Sequence, residues 1–97
     1  VKYPVLTVCG SMRYFDRMLE LANEYTEKGW IVLMPFVHVI PPEQQAGSPV
    51  KKMLDDMHFT KIDMSSAILV VGPYRGESTT NEIRYAYKHG KHIIEKN

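Results

Sequence analysis

The chain of 97 residues has a single cysteine, Cys9, and so no internal disulfide. Cys9 lies in an apolar, strand-like run, which suits a reducing compartment and leads us to expect a cytoplasmic protein. No apolar run approaches the roughly 20 residues of a membrane helix, and no charged segment precedes a long apolar stretch, so neither membrane insertion nor export is expected. Charge of one sign is missing too. The 12 basic and 11 acidic side chains are interspersed and leave a formal charge of +1, which excludes the basic stripe of a nucleic-acid binder and limits any anionic ligand to a small one. Internal repeats and low-complexity tracts are absent. What remains is ordinary globular composition, 44% apolar and 24% charged, at a length that holds one domain over residues 1–97.

Apolar periodicity divides the chain into alternating strands and helices. Val5 to Cys9 is a β-branched-rich run that stops at Gly10-Ser11 and predicts a first strand. Phe15, Met18, Leu19, Ala22 and Tyr25 then recur at helical spacing, with Gly29 as the closing cap. Trp30 to Met34 predicts a second strand, ended by Pro35. Residues 35–49 hold four prolines and a glycine and form an unusually long connection, a candidate lid. Ser48-Pro49 opens a second helix with Val50, Met53, Leu54, Met57 and Ile62 as its expected apolar stripe and Met53, Met57 and Met64 as core filler. Ala67 to Val71 is a third strand, Thr79 to Tyr87 a third helix capped at Gly90, and His92 to Ile94 a fourth strand.

This alternation implies parallel strands, right-handed crossovers and helices on both faces of the sheet. The fold class expected is α/β, a flavodoxin- or Rossmann-like three-layer sandwich with a four-stranded parallel sheet of order 2-1-3-4. In such sheets ligands bind at the carboxyl ends of the strands where the order reverses, which points to the turns after strands one and three.

The first of these turns, Cys9-Gly10-Ser11-Met12-Arg13, offers free amides, a hydroxyl and a guanidinium suited to a phosphate. Its simpler reading is a serine helix cap followed by a solvated arginine. The second, Gly72 to Glu82, sets Gly76, Ser78, Thr80 and the carboxylate of Glu82 at another helix start. Spacing alone also allows Thr79 to Glu82 to be a capping box. It is neither a Walker loop nor a dinucleotide fingerprint. His89 and His92 are spaced His-x-x-His, but no cysteine or carboxylate cluster accompanies them, so no metal is expected.

Taken together, the two turns resemble the nucleoside 2-deoxyribosyltransferase-like family, which includes the deoxynucleoside monophosphate N-glycosidases. The resemblance rests on Cys9 to Arg13, on Glu82-Ile83-Arg84-Tyr85-Ala86, and on Lys88-His89-Gly90-Lys91 leading into the last strand. It implies Glu82 as the nucleophile at the anomeric carbon, with Gly10, Ser11 and Arg13, joined by Gly76, Ser78 and Thr80, holding a nucleoside or its 5′-monophosphate. No cofactor or metal is implied. Thr7 stands where relatives carry a tyrosine that orients the glutamate, with Tyr14 as its candidate replacement. His58 stands where they carry an aspartate, and an imidazole there could protonate the leaving base or be a partly exposed helix residue. A non-catalytic nucleotide-binding module of the same fold is the alternative. A four-stranded sheet with open edges further leads us to expect a homodimer or higher oligomer, through the helices carrying Tyr25, Met57 and Tyr87.

Overall fold

A computed structural model describes residues 2–35 and 47–97. The elements run β1 (Val5–Gly10), a single 3-10 turn (Met12–Tyr14), α1 (Phe15–Glu27), β2 (Ile31–Leu33), α2 (Pro49–Asp63), β3 (Ala67–Val71), α3 (Glu77–Lys88) and β4 (His92–Lys96). All strand pairs are parallel and the order is β2-β1-β3-β4, as the alternating pattern predicts. The connection 35–49, expected as a lid, lies outside the described residues except for its ends.

Strand alternation sorts the core into two layers. Leu6 and Val8 of β1 and Leu69 and Val71 of β3 turn to one face, where Met18, Leu21 and Tyr25 of α1 cover them. Cys9, Ile68 and Val70 turn to the other and meet Ile62 of α2 and Ala86 of α3. Residues Leu6 to Cys9 and Ile68 to Val71 are fully buried, as the two central strands of a doubly covered sheet must be. Each large side chain among them contributes about 1.5–3 kcal/mol by leaving water. Thr7, also fully buried, donates its hydroxyl to the Lys61 carbonyl at 3.0 Å and meets the Ser65 hydroxyl, which ties β1 to the end of α2.

The helices start and stop largely where their caps predict. Ser48 accepts from the Lys51 amide at 3.4 Å with Pro49 in the first turn, and α1 closes at Gly29 with φ +94°. Four expectations fail. On α1, Leu19 of the expected apolar stripe is 45% exposed and Leu21 is buried instead. Val50, Met53 and Met57 are about half exposed and Met64 is 63% exposed, so they are not core. The buried positions of α2 are His58 and Ile62, and Lys51 and Asp55 continue that same face at i, i+4, i+7 and i+11. On this face Lys51 and Asp55 pair at 2.9 Å, and with His58 they occupy positions where an apolar stripe would otherwise run. The third helix begins at Glu77, with Gly76 as a cap that makes no side-chain bond. Thr79 is therefore a buried residue inside the helix and the Thr79–Glu82 capping box does not form. Finally, Tyr25 is 7% exposed and packs in the core, which removes it from any oligomer surface.

Among the described residues no helix is long and apolar enough to cross a membrane.

Candidate functional site

β1 and β3 lie side by side where the strand order reverses, so the turns that follow them are neighbours. Tyr14 joins the two. Its hydroxyl accepts a hydrogen bond from the Tyr74 amide at 3.0 Å, and its ring lies against Gly72. Gly72 has φ +85°, and any Cβ there would collide with that ring, so both backbone freedom and close approach require glycine. Gly10 is constrained the same way, since at φ +146° its Cβ would sit 2.8 Å from the Val71 carbonyl oxygen. The Arg13 guanidinium stacks on the Tyr74 ring at 3.8 Å from its centroid, and Gly76 packs close to the same ring. Arg13, Tyr74, Tyr14 and Gly76 thus form one continuous surface at the carboxyl edge of the sheet.

A second constellation lies beneath it, on the α2 and α3 side. Cys9 is the last residue of β1 to point that way before Gly10. His58 comes from the middle of α2 and Glu82 from the second turn of α3, where Thr79 and Ala86 share its inward face. Cys9 Sγ lies 3.5 Å from His58 Nε2, which lies 3.8 Å from Glu82 Oε1. The His58 and Glu82 side chains are only 6% and 14% exposed. Three elements far apart in sequence therefore deliver a thiol, an imidazole and a carboxylate to one point.

Burial sets their protonation. Desolvation pushes the Glu82 carboxyl up to about 7, with Asp55 adding to the rise and the Cys9 thiol and Lys51 opposing it. Desolvation, reinforced by Lys61, lowers His58 to about 4 against weaker support from the Val8 backbone and Asp55. Burial, with the Glu82 charge beside it, holds the Cys9 thiol well above its usual range. At neutral pH the thiol keeps its proton, the imidazole is uncharged and Glu82 is about half ionised. The 3.8 Å approach of His58 to Glu82 is therefore a contact to a neutral ring and not an ion pair. His58 Nδ1 is buried without a hydrogen-bond partner among the described residues. Near Glu82, Lys51 and Asp55 pair at 2.9 Å.

Of the residues singled out by sequence, the structure brings His58 and Glu82 together and buries His58, excluding the partly exposed reading. Tyr14 is engaged by the Tyr74 amide and makes no hydrogen bond to Glu82. Ser11 accepts from the Arg13 amide at 3.4 Å, Ser78 is exposed, and the Thr80 hydroxyl donates to the Gly76 carbonyl at 2.9 Å. His89 stacks on Tyr85 while His92 is exposed in β4, so the two do not form a pair. Sequence reasoning missed Cys9 as a member of the site and Tyr74 as the shelf for Arg13. The available signal was shared facing: Cys9 lies on the same face of β1 as Thr7, and His58 and Ile62, like Glu82 and Ala86, are one helical turn apart.

No family model matches the chain, and no curated protein shows significant similarity to it.

Proposed function

We propose that this protein is a nucleoside or nucleotide N-glycosidase or deoxyribosyltransferase with Glu82 as its nucleophile. What carries the reading is the disposition of Glu82: it has no capping duty, and its carboxylate is held in a largely buried position against His58, close to the switch point of a parallel sheet. A partly desolvated carboxylate is suited to an oxocarbenium-like centre. One Glu82 oxygen attacks the anomeric carbon as the C–N bond breaks. The electron pair leaves with the base, which takes up a proton from water, and the glycosyl ester is then cleaved by water or by a second base. His58, titrating near 4, fits the task of orienting Glu82 better than that of protonating the leaving base. Ser11, Arg13 and the turn amides bind the 5′-phosphate, and Gly76, Ser78 and Thr80 border the sugar.

The reaction needs Glu82 ionised, so in metal-free buffer base release should rise about tenfold per pH unit below about 7 and level off above it. The deciding experiment is incubation with a panel of nucleosides and 5′-monophosphates. Free base should appear, and a slow substrate should leave a sugar mass on the Glu82 peptide. Replacing Arg13 with alanine should cut the preference for monophosphates by about ten- to a hundred-fold, and an indifferent variant moves the phosphate elsewhere. A second reading, a nucleotide-binding module without turnover, is favoured by one observation: Tyr14 is committed to Tyr74 and leaves Glu82 without a tyrosine partner. Monophosphate binding with no base released from any substrate selects it. The half-exposed Val50, Met53 and Met57, with the exposed Tyr87, support a homodimer. Sedimentation as a monomer at roughly tens of micromolar, the scale for interfaces of about 1,600 Å², removes that part.

A further inference from the structure

We propose that Cys9, His58 and Glu82 form a binding site for one divalent transition-metal ion of the zinc type, with a fourth position left for water or substrate. Among the described residues these three donate one ligand atom each, and the atoms lie within 4.8 Å of one another. A thiolate, an imidazole and a carboxylate are the donors that zinc and cobalt favour and that calcium and magnesium do not.

The sulfur–nitrogen spacing fits the ion. Tetrahedral zinc about 2.3 Å from sulfur and about 2.0–2.1 Å from nitrogen holds those two atoms about 3.5 Å apart. Cys9 Sγ and His58 Nε2 are separated by 3.5 Å. The nitrogen–oxygen edge of the same tetrahedron is about 3.3–3.4 Å. His58 Nε2 and Glu82 Oε1 are 3.8 Å apart, a gap that a small rotation of the long glutamate side chain closes.

The charges also balance. On coordination Cys9 gives its proton to water, so a thiolate and a carboxylate offset the two positive charges of the ion, with a neutral imidazole as the third ligand. Such neutrality matters at a position where Cys9 is fully buried and an uncompensated charge is costly. Each ligand sits on a different packed element, β1, α2 and α3, so the site is assembled by folding and needs no loop to close. The ion enters past Glu82, the least buried of the three. Because it engages the Glu82 oxygen, a metal-loaded chain has no free nucleophile. Coordination and glycosyl transfer are therefore alternative uses of one carboxylate.

The test is a cobalt titration of the full chain after chelator treatment, with circular dichroism to verify folding. One equivalent of Co²⁺ should produce a thiolate-to-cobalt charge-transfer band, attributable to Cys9 because there is no other cysteine, together with the strong visible bands of a tetrahedral ion. Zn²⁺ should bleach both. Substituting His58→Gln and Glu82→Gln should each weaken cobalt binding by at least about tenfold. Folded wild-type protein without the charge-transfer band overturns the proposal, as does a band whose affinity is indifferent to both substitutions. No substrate enters this measurement, so its failure leaves the glycosidase reading standing, and an absence of base release leaves the cobalt spectrum to be judged alone.

Discussion

The two faces of the sheet are built from the same two strands and differ in kind. Towards α1 the buried residues are Leu6, Val8, Met18, Leu21, Tyr25, Ala67, Leu69 and Val71, an apolar layer whose one polar side-chain group is a tyrosine hydroxyl. Towards α2 and α3 the buried or nearly buried residues include Thr7, Cys9, His58, Ser65, Thr79 and Glu82. One face supplies stability from area alone, whereas the other spends part of that gain on polar groups whose desolvation must be offset by partners. The buried polar residues of the described chain therefore lie on the side to which the proposed chemistry is assigned.

The largest expected effect separates the faces most sharply. Glu82→Gln keeps the shape of the side chain and removes its charge, so glycosyl transfer should fall by about a thousand-fold or more while the fold persists. Base release at wild-type rate would return Glu82 to a structural part. On the opposite face, Leu21→Ala should cost about 2–5 kcal/mol in chemical denaturation, through lost burial and a cavity, yet leave the turnover of the remaining folded protein unchanged. A variant that loses turnover without losing stability would show that the apolar face is not merely support.

The third effect is a pH dependence that wild type hides. Glu82 is raised from 4.5 to about 7, so its contribution is present below 4.5 and lost as pH rises through 7. His58 is lowered from 6.5 to about 4, so its contribution is present above 6.5 and lost as pH falls through 4. Between about 4.5 and 6.5 the folded state holds a proton on Glu82 and the unfolded state holds one on histidine, and the two slopes cancel. Glu82→Gln removes one side of the balance. Relative to wild type in metal-free buffer, its stability should climb by about 3 kcal/mol between pH 4.5 and 7, read from urea midpoints. A constant difference across that window would mean that Glu82 titrates as an ordinary surface carboxylate.

The same contrast explains what the sequence made legible. The strand order follows from the parallel-sheet rules and holds here; the apolar stripe of α1 holds at Met18 and Tyr25 but not at Leu19, which is exposed where Leu21 is buried. The polar face was half legible. Glu82 and His58 were accessible through the resemblance carried by Glu82 to Ala86 and by the turn around Ser11. Their contact with Cys9 was not, because it joins residues 9, 58 and 82 across three elements, and no local pattern encodes such a separation. The α2 stripe was misassigned for a related reason. Periodicity seeks apolar residues, and the inward face of this helix runs through Lys51, Asp55 and His58, which left Met53 and Met57 on the outside.

The smallest expected effect concerns the seam between the two switch-point turns, where Tyr14 has been given two incompatible duties. As a structural clamp it supplies one hydrogen bond to the Tyr74 amide in a solvent-exposed position, while its ring remains packed on Gly72 whether or not the hydroxyl is present. Tyr14→Phe should then cost about 0.5–1 kcal/mol, because water can replace an exposed acceptor, and kcat should stay within about twofold. As the group that orients Glu82 it would instead hold the nucleophile in its reactive rotamer, and losing the hydroxyl should lower kcat by tenfold or more with little change in stability, at about 1.4 kcal/mol per tenfold. Measuring both quantities on the one variant decides the point. A loss confined to stability keeps Tyr14 in the turn, where its hydrogen bond now places it, and a loss confined to kcat moves it to the carboxylate, making the observed bond to Tyr74 one that substrate binding must break.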